Sequence, residues 1–148
     1  MYNYVIRNFK VSDIYEIISI VERLFNENYE TSMYIDYYNS WSDGFLVAEV
    51  GGKVVGVLLA MISSPMEARV LVLGVDEGYR SMGIGSALMH RFTENCIKLG
   101  LKTITLEVRV GNIRARNFYT KIGFHVVGRI SNYYRDGEDG FVLHKAIG

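Results

Sequence analysis

Hydrophobic side chains recur with a helical period in two long segments of this chain. From Ile14 to Phe25 the apolar residues stand three or four positions apart, which predicts an amphipathic helix capped by Ser12 or Asp13. The stretch from Gly83 to Leu99 has the same spacing and predicts a second long helix, which Gly100 ends. One face of that helix is expected to carry Ile84, Leu88, Phe92, Cys96 and Leu99.

Alternation and short apolar runs predict the strands. From Thr103 to Val110 apolar and polar residues alternate, so Thr105, Glu107 and Arg109 are expected on the polar face of one strand. Six further strands are predicted at Tyr4–Asn8, Phe45–Val50, Lys53–Ile62, Arg69–Val75, His125–Ile130 and Gly140–Ala146.

Glycines and polar residues separate these elements. The pair Gly51-Gly52 supplies the turn of a hairpin, and a loop is expected from Ser63 to Glu67. The segment from Asn26 to Ser42 is predicted to be a loop followed by a short helix, and Asn112 caps a last helix from Ile113 to Lys121. The order β-α-α-β-β-β-α-β-α-β-β predicts an α/β fold, a mixed sheet flanked by helices.

Length and composition narrow the class of protein. Residues 1–148 have the size of one domain, and sixteen basic and sixteen acidic residues cancel, which argues against direct contact with nucleic acid. Cys96 has no partner for a disulfide, no signal-peptide pattern opens the chain, and no apolar run reaches membrane-spanning length. We therefore expect a soluble, cytoplasmic protein. No His, Cys or Asp cluster has metal-ligand spacing, so no metal is expected.

The stretch Arg80-Ser81-Met82-Gly83-Ile84-Gly85 carries two glycines where a helix begins. A dinucleotide motif, with Glu107 as the ribose-binding acid, needs its first glycine directly after the strand, but seven residues separate Val75 from Gly83. A Walker-type phosphate loop is excluded because no Gly-Lys-Ser/Thr follows. A second interpretation stays open, in which the glycines only permit a tight turn and Arg80 is a surface charge. An anion site of backbone N–H groups beside Arg80 is favoured.

The segment R-x-x-G-x-G after a V-x-L-x-V strand resembles the acetyl-CoA signature of the GNAT acetyltransferase superfamily. Downstream, Leu106-Glu107-Val108-Arg109, Asn112, Asn117-Phe118-Tyr119 and Ile122-Gly123-Phe124 are similar to the L-E-V-R…N…Y…G-F pattern of bacterial and archaeal N-alpha-acetyltransferases that act on ribosomal proteins. The resemblance covers nearly the whole chain. It implies the GNAT fold and acetyl transfer from acetyl-CoA to an amine.

Two further segments resemble the catalytic subunit of eukaryotic N-terminal acetyltransferase A. Phe25-Asn26-Glu27-Asn28-Tyr29 is similar to its L-P-E-N-Y loop, with Asn26 in place of the proline, and the stretch from Tyr133 to Asp139 is similar to its Y-Y-A-D-G-E-D turn. Glu107 instead matches the ribosomal-protein and archaeal enzymes. The resemblance implies a protein N-alpha-acetyltransferase that acts on protein N-termini, and association with the ribosome is a further expectation.

The resemblance also implies which residues contact acetyl-CoA. The pantetheine arm is expected along the main chain of the strand that ends Leu73-Gly74-Val75, as an added strand, and Gly74 either allows this approach or accommodates packing. The pyrophosphate is expected on the N–H groups from Arg80 to Ser86. The full expected set is Leu73, Val75, Arg80, Ser81, Met82, Gly83, Ile84, Gly85, Ser86, Asn112 and Tyr119.

In this family the amine attacks the thioester directly, so the reaction needs a base and an acid. Glu107 is the expected base, and the alternative for it is an ion pair with Arg109 or a lysine. Tyr119 is the expected acid, because the resemblance places it near the CoA sulfur, and the alternative is packing beside Phe118. Cys96 is expected in the core and not as a nucleophile.

The same resemblance implies that Glu27, Tyr29, Tyr133 and Tyr134 form the groove for the first residues of a peptide. Glu27 either positions the amine or shares the task of the base. Two other functions stay open: a GNAT acetyltransferase for small amines or lysine side chains, and an acyl-CoA-binding sensor without catalysis. The two tyrosine-bearing segments favour the N-alpha-acetyltransferase.

Overall fold

A seven-stranded mixed sheet lies at the centre of residues 3–148, which are the residues that the computed structural model describes. Its strands are β1 (Val5–Asn8), β2 (Phe45–Val50), β3 (Lys53–Ser64), β4 (Glu67–Val75), β5 (Thr103–Arg109), β6 (His125–Ile130) and β7 (Gly140–Ala146). They lie side by side in the order β1-β2-β3-β4-β5-β7-β6. Residues 1 and 2, the start of the predicted domain, fall outside this description.

Four α-helices accompany the sheet in this part of the chain. They are α1 (Ile14–Phe25), α2 (Thr31–Ser40), α3 (Ile84–Lys98) and α4 (Ile113–Lys121), and single 3-10 turns occupy Val11–Asp13, Ser42–Gly44 and Glu77–Tyr79. The predicted order of helices and strands is confirmed. Within residues 3–148, each helix is too short or too polar to cross a membrane.

Alternation along the strands divides the core into two layers. In β2, Leu46 lies in the cluster that contains Phe92 of α3. Its neighbour Phe45 points to the other face and lies in the cluster that contains Ile17 of α1 and Tyr34 of α2. All five side chains are buried. The sheet is therefore covered by α1 and α2 on one face and by α3 on the other.

Two sequence predictions are wrong in detail. The expected loop from Ser63 to Glu67 is a two-residue turn, because β3 continues to Ser64 and β4 begins at Glu67. Leu99 is 55% exposed and not part of the buried face of α3. The helix ends at Lys98 with Leu99 as its C-cap, and Gly100, with φ of 78°, turns the chain away.

The sheet opens between β4 and β5, which are its only parallel pair of strands in the described residues. Their pairing covers three positions, Glu67–Arg69 with Thr103–Thr105. Beyond these positions β4 stays paired with β3 as far as Val75, and β5 stays paired with β7 as far as Arg109. Within the described chain, the edge of β4 that faces β5 therefore has no strand partner from residue 70 onward.

A buried carboxylate joins β1 to the start of α1. Asp13 is 5% exposed, and its oxygens accept hydrogen bonds from Arg7 Nη1 at 2.8 Å, Arg7 Nη2 at 2.9 Å and the Lys10 N–H at 2.8 Å. Arg7 Nε also donates to Glu49 of β2 at 2.7 Å. Burial by itself would raise the pKa of Asp13, but the hydrogen bonds from Arg7 and Lys10 outweigh it and hold the pKa below its usual value.

We expect Asp13→Asn to lower the free energy of unfolding by about 2 kcal/mol near neutral pH, because Arg7 loses the charge of its most buried partner. The lowered pKa means that Asp13 stabilises the fold above its unfolded-state pKa of about 4, and that this contribution is lost as the pH falls through the folded-state pKa. Urea unfolding of both proteins at several pH values measures the effect. The two stability curves should converge at acidic pH, and a constant gap between them would contradict the assignment.

Candidate active site

A groove of about 590 Å³ occupies the opening between β4 and β5. It reaches the turn before α3 at one end, and the α1–α2 loop and the β6–β7 turn at the other. Of the residues predicted from the sequence, it is lined by Glu27, Tyr29, Leu73, Val75, Arg80, Ser81, Gly83, Ile84, Gly85, Ser86, Glu107, Asn112, Tyr119 and Tyr134. Met82 instead packs against the core, and Tyr133 joins the site through a hydrogen bond to Glu107.

Backbone N–H groups converge where α3 begins. Ser81 and Gly83 have positive φ angles of 69° and 80°, and Gly83 is the N-cap of the helix. The N–H of Ala87 donates to the Gly83 carbonyl at 3.0 Å, so the N–H groups of residues 84–86 precede the first hydrogen bond of the helix. N–H groups in this arrangement attract anions.

Arg80 is anchored beside these N–H groups. Its Nε donates to the Val75 carbonyl at the end of β4 at 3.1 Å, and its Nη1 lies 3.7 Å from the Glu77 carboxylate. The guanidinium and the N–H groups therefore share one end of the groove. Gly85 brings α4 close to this end, because a Cβ on it would lie 3.4 Å from the Phe118 ring.

The last turn of α1 packs closely on β4 at Gly74. A Cβ on Gly74 would lie 3.0 Å from Leu24 Cδ1 and 3.0 Å from Phe25 Cε2, both in the last turn of α1. Of the two explanations that the sequence left open, the packing explanation accounts for these contacts. Leu24 and Phe25 also line the groove, and Phe25 is 40% exposed. They give this part of the groove an apolar wall.

The loop after α1 begins with a left-handed residue. Asn26 has φ of 53° and ψ of 38°, and its N–H donates to the Glu22 carbonyl at 3.0 Å. Asparagine adopts this conformation more readily than most residues, whereas proline is restricted to φ near −65°. The turn at Asn26 places Glu27 and Tyr29 on the groove wall. Burial, with a smaller contribution from Glu27, raises the pKa of Tyr29.

Glu107 of β5 belongs to a cluster of three side chains at the point where β4 and β5 part. Its Oε1 accepts hydrogen bonds from Arg69 Nε at 3.0 Å, from Arg69 Nη2, and from the Tyr133 hydroxyl at 2.9 Å. Arg69 Nη2 also donates to the Tyr133 hydroxyl at 2.9 Å. The ion pair of Glu107 is thus with Arg69, and the expected alternative, Arg109, has other partners.

Arg109 holds the β6–β7 turn against the end of β5. Its Nη1 donates to Asp136 at 2.8 Å and to Glu138 at 3.0 Å, and its guanidinium lies 4.1 Å from the centre of the Tyr134 ring. Glu138 also accepts a hydrogen bond from the Gly111 N–H at 2.9 Å. The hydrogen bond to Glu138 is the main reason that the pKa of Arg109 is raised. Tyr134 is therefore held in place at the groove.

Tyr119 of α4 also lines the groove and is 9% exposed. Its ring packs edge-on against Phe118 and Phe124, at centroid distances of 5.3 Å and 5.6 Å. Burial, and to a smaller extent Tyr134, raises the pKa of Tyr119 well above its usual value. The phenol therefore keeps its proton near neutral pH. Asn112 caps α4 as predicted, since its Oδ1 accepts the Ala115 N–H at 3.2 Å.

Cys96 lies on the buried face of α3, in the hydrophobic core, as predicted. It is fully buried, and burial raises the pKa of its thiol to about 12. A thiol in this environment stays protonated and unreactive near neutral pH. Residues 3–148 contain no group of three or more His, Cys, Asp or Glu side chains arranged to hold a metal ion.

Comparison with known proteins gives a family for this groove and this order of elements. Residues 14–124 match the acetyltransferase (GNAT) family. The chain belongs to the GNAT acetyltransferase family. The predicted GNAT fold is thereby confirmed, as is the enzyme class, because GNAT acetyltransferases transfer the acetyl group of acetyl-CoA.

This GNAT chain is similar to three known proteins along most of its length. It is 33% identical to an N-alpha-acetyltransferase of Sulfurisphaera tokodaii, with 95% of this chain and 91% of the relative covered. The structure of Ard1 from Thermoplasma volcanium superposes with a TM-score of 0.94 at 34% identity and covers 98% of both chains. Chaetomium thermophilum Naa20, in complex with a bisubstrate analogue, gives a TM-score of 0.88 at 26% identity, covering 97% of this chain and 86% of Naa20.

Proposed function

We propose that this GNAT enzyme is a protein N-alpha-acetyltransferase, which moves the acetyl group of acetyl-CoA to the α-amine of a protein N-terminus. The observation that carries the proposal is the groove, because an anion-binding end and a tyrosine-rich end meet at the Glu107 carboxylate. Similarity to an N-alpha-acetyltransferase along 95% of the chain supports the same substrate. The proposal treats residues 1–148 as one such domain, acting in the cytoplasm near the ribosome, where N-termini emerge.

The anion-binding end has the chemistry that acetyl-CoA requires. The N–H groups from Ser81 to Ser86, with the Arg80 guanidinium, would hold the pyrophosphate. The free edge of β4 at Leu73 and Val75 would bind the pantetheine amides as an added strand, beside Asn112 and Tyr119. When bound, acetyl-CoA supplies the acetyl group as a reactive thioester.

The other end of the groove suits a peptide N-terminus. Glu27, Tyr29 and Tyr134 line it, and they combine one carboxylate with two large amphipathic rings. Burial raises the pKa of Tyr134 to about 12, so its phenol stays neutral and able to donate a hydrogen bond. We assign to Glu27 the binding of the charged amine before it reacts, and to the two rings the flanks of the first peptide residues.

Glu107 is assigned as the base that takes the proton of the amine through water. An α-amine titrates near pH 8 and a lysine side chain near 10.4. A carboxylate therefore removes a proton more easily from a protein N-terminus than from a lysine side chain. Glu107 is well placed because it lines the groove and its side chain, although largely buried, is still 13% exposed.

Tyr119 is assigned as the acid that protonates the sulfur when CoA leaves. Its raised pKa keeps the proton on the phenol near neutral pH, so that the O–H can donate a hydrogen bond to the sulfur as CoA leaves. A buried hydroxyl that donates a hydrogen bond to the developing negative charge lowers the barrier without reorganising water.

The substrate is tested with acetyl-CoA and a library of peptides that vary in their first residues. Each peptide is supplied with a free and with a blocked α-amine, and small polyamines are assayed beside them. We expect acetylation of the free α-amines and none of the blocked peptides. Acetylation only of lysines or polyamines would contradict the proposal, and acetyl-CoA binding without any turnover would mark a sensor.

Glu107→Gln is expected to lower kcat by about 100-fold or more, because an amide cannot accept the amine proton. The affinity for acetyl-CoA, measured by calorimetry, should change less than about twofold, since the N–H groups and Arg80 are untouched. Glu94→Gln, an exposed change on α3, is the matched control and should behave as wild type. Equal losses in turnover and affinity would show a structural role for Glu107.

Tyr119→Phe is expected to slow acetylation by about 10- to 100-fold, because it removes the proton donor while the ring keeps its contacts with Phe118 and Phe124. The melting temperature should stay close to that of the wild type. Tyr15→Phe, at a side chain 80% exposed on α1, serves as the control. A wild-type rate in Tyr119→Phe would remove the proposed acid.

A further inference from the structure

The side-chain hydrogen bonds of Glu107 in the described residues all fall on one of its two carboxylate oxygens. Oε1 accepts from Arg69 Nε, from Arg69 Nη2 and from the Tyr133 hydroxyl. No side chain or backbone group of residues 3–148 donates a hydrogen bond to Oε2. The carboxylate is therefore tethered through one oxygen, and the other stays available to a proton donor.

Arg69 stands where β4 and β5 part. It pairs with Thr105 at the last position where the two strands run together, and Glu107 lies two residues farther along β5. The Arg69 side chain crosses from β4 to β5 and contacts the Glu107 carboxylate where the two strands part. The ion pair thus joins β4 to β5 just beyond their last paired residues.

The donors of Arg69 are well suited to hold a carboxylate in one orientation. Two nitrogens of a rigid, planar guanidinium reach Oε1, and one of them also reaches the Tyr133 hydroxyl. Burial would lower the pKa of Arg69, but the hydrogen bond and the charge of Glu107 outweigh it, so the pKa is raised and the guanidinium keeps its charge. A lysine would offer charge without this fork.

We propose that Arg69 is a positioning residue for acetyl transfer: with Tyr133 it holds Oε1 of Glu107, and so presents Oε2 to the water through which the amine proton is removed. The inference rests on the proposed function, which assigns the base to Glu107. A glutamate side chain without such a tether samples several rotamers, and a displacement of about 1 Å in a reacting group can cost about 100-fold in rate.

The same oxygen also connects the base to the peptide end of the groove. Tyr133 donates its hydroxyl proton to Oε1, and the next residue, Tyr134, lines the groove. The β6–β7 turn is thus held at one side by Glu107 and Arg69, and at the other by Arg109. Arg69 therefore positions the base and supports the wall beside it.

A double-mutant cycle tests the proposal, with kcat and both KM values measured for the wild type, Arg69→Met, Glu107→Gln and the double variant. We expect Arg69→Met alone to lower kcat by about 10- to 100-fold, with the KM for acetyl-CoA unchanged. In the Glu107→Gln background the same change should cost less than about threefold, because the group that Arg69 positions is no longer a base. If the two losses multiply, Arg69 acts independently of Glu107 and the proposal fails.

Two further variants sharpen the cycle. Arg69→Lys keeps the charge without the fork and should recover part of the lost rate; it also replaces Arg69→Met in the cycle if that variant does not fold. Arg91→Met removes an exposed arginine of α3 and should keep the wild-type kcat. A loss in Arg91→Met as large as that in Arg69→Met would overturn the assignment.

A spectroscopic readout examines the same contact without turnover. The carboxyl carbon of Glu107 gives a 13C signal that is identified by its loss in Glu107→Gln. We expect this signal to shift in Arg69→Met and to stay in place in Arg91→Met, and an unmoved signal in Arg69→Met would refute the proposed tether. If the wild type acetylates N-terminal peptides but the losses multiply, only this inference fails, whereas a wild type that acetylates no N-terminal peptide refutes the proposed function as well.

Discussion

The short parallel pairing between β4 and β5 is the constraint on which the rest of the structure depends. Three paired positions hold the strands together, and beyond them the edge of β4 has no strand partner within the described residues. Unpaired backbone groups are costly when they are also kept from water. The edge therefore persists only because it faces a groove, where water or an extended ligand can satisfy it. The β3 pairing and the α1 packing keep β4 in place.

Two arginines beside the groove form hydrogen bonds with other side chains of the protein. Arg69 ties Glu107 to Tyr133, and Arg109 ties the β6–β7 turn to the end of β5. Both guanidiniums are paired with carboxylates, so they organise the site without adding a strong net charge to it. Arg80 supplies a half-buried positive group at the cofactor end, beside the N–H groups of α3. An anionic ligand is thereby drawn to one end, while the other end offers tyrosine rings and a carboxylate.

The loop after α1 shows how a relative can share the fold and differ at the site. The left-handed Asn26 sets the direction of the chain toward Glu27 and Tyr29. A proline at this position cannot take the same backbone angle, so a related enzyme with proline there must route the loop differently. That loop, Phe25 and Tyr134 line the same end of the groove. Under the proposed function, differences in which N-termini are accepted are expected to arise there and not in the sheet.

Local pattern in the sequence was enough to predict the order of helices and strands, the hairpin at Gly51-Gly52 and the cap at Asn112, because each depends on residues a few positions apart. Resemblance to a family added the expected roles of Glu107 and Tyr119, since these two residues match the family's motif position by position. The Arg69–Glu107 contact joins residues 38 positions apart, and it depends on a parallel register that no local pattern encodes. The partner of Glu107 and the close packing of α1 on Gly74 were decided only by the tertiary structure, where distant segments pack together.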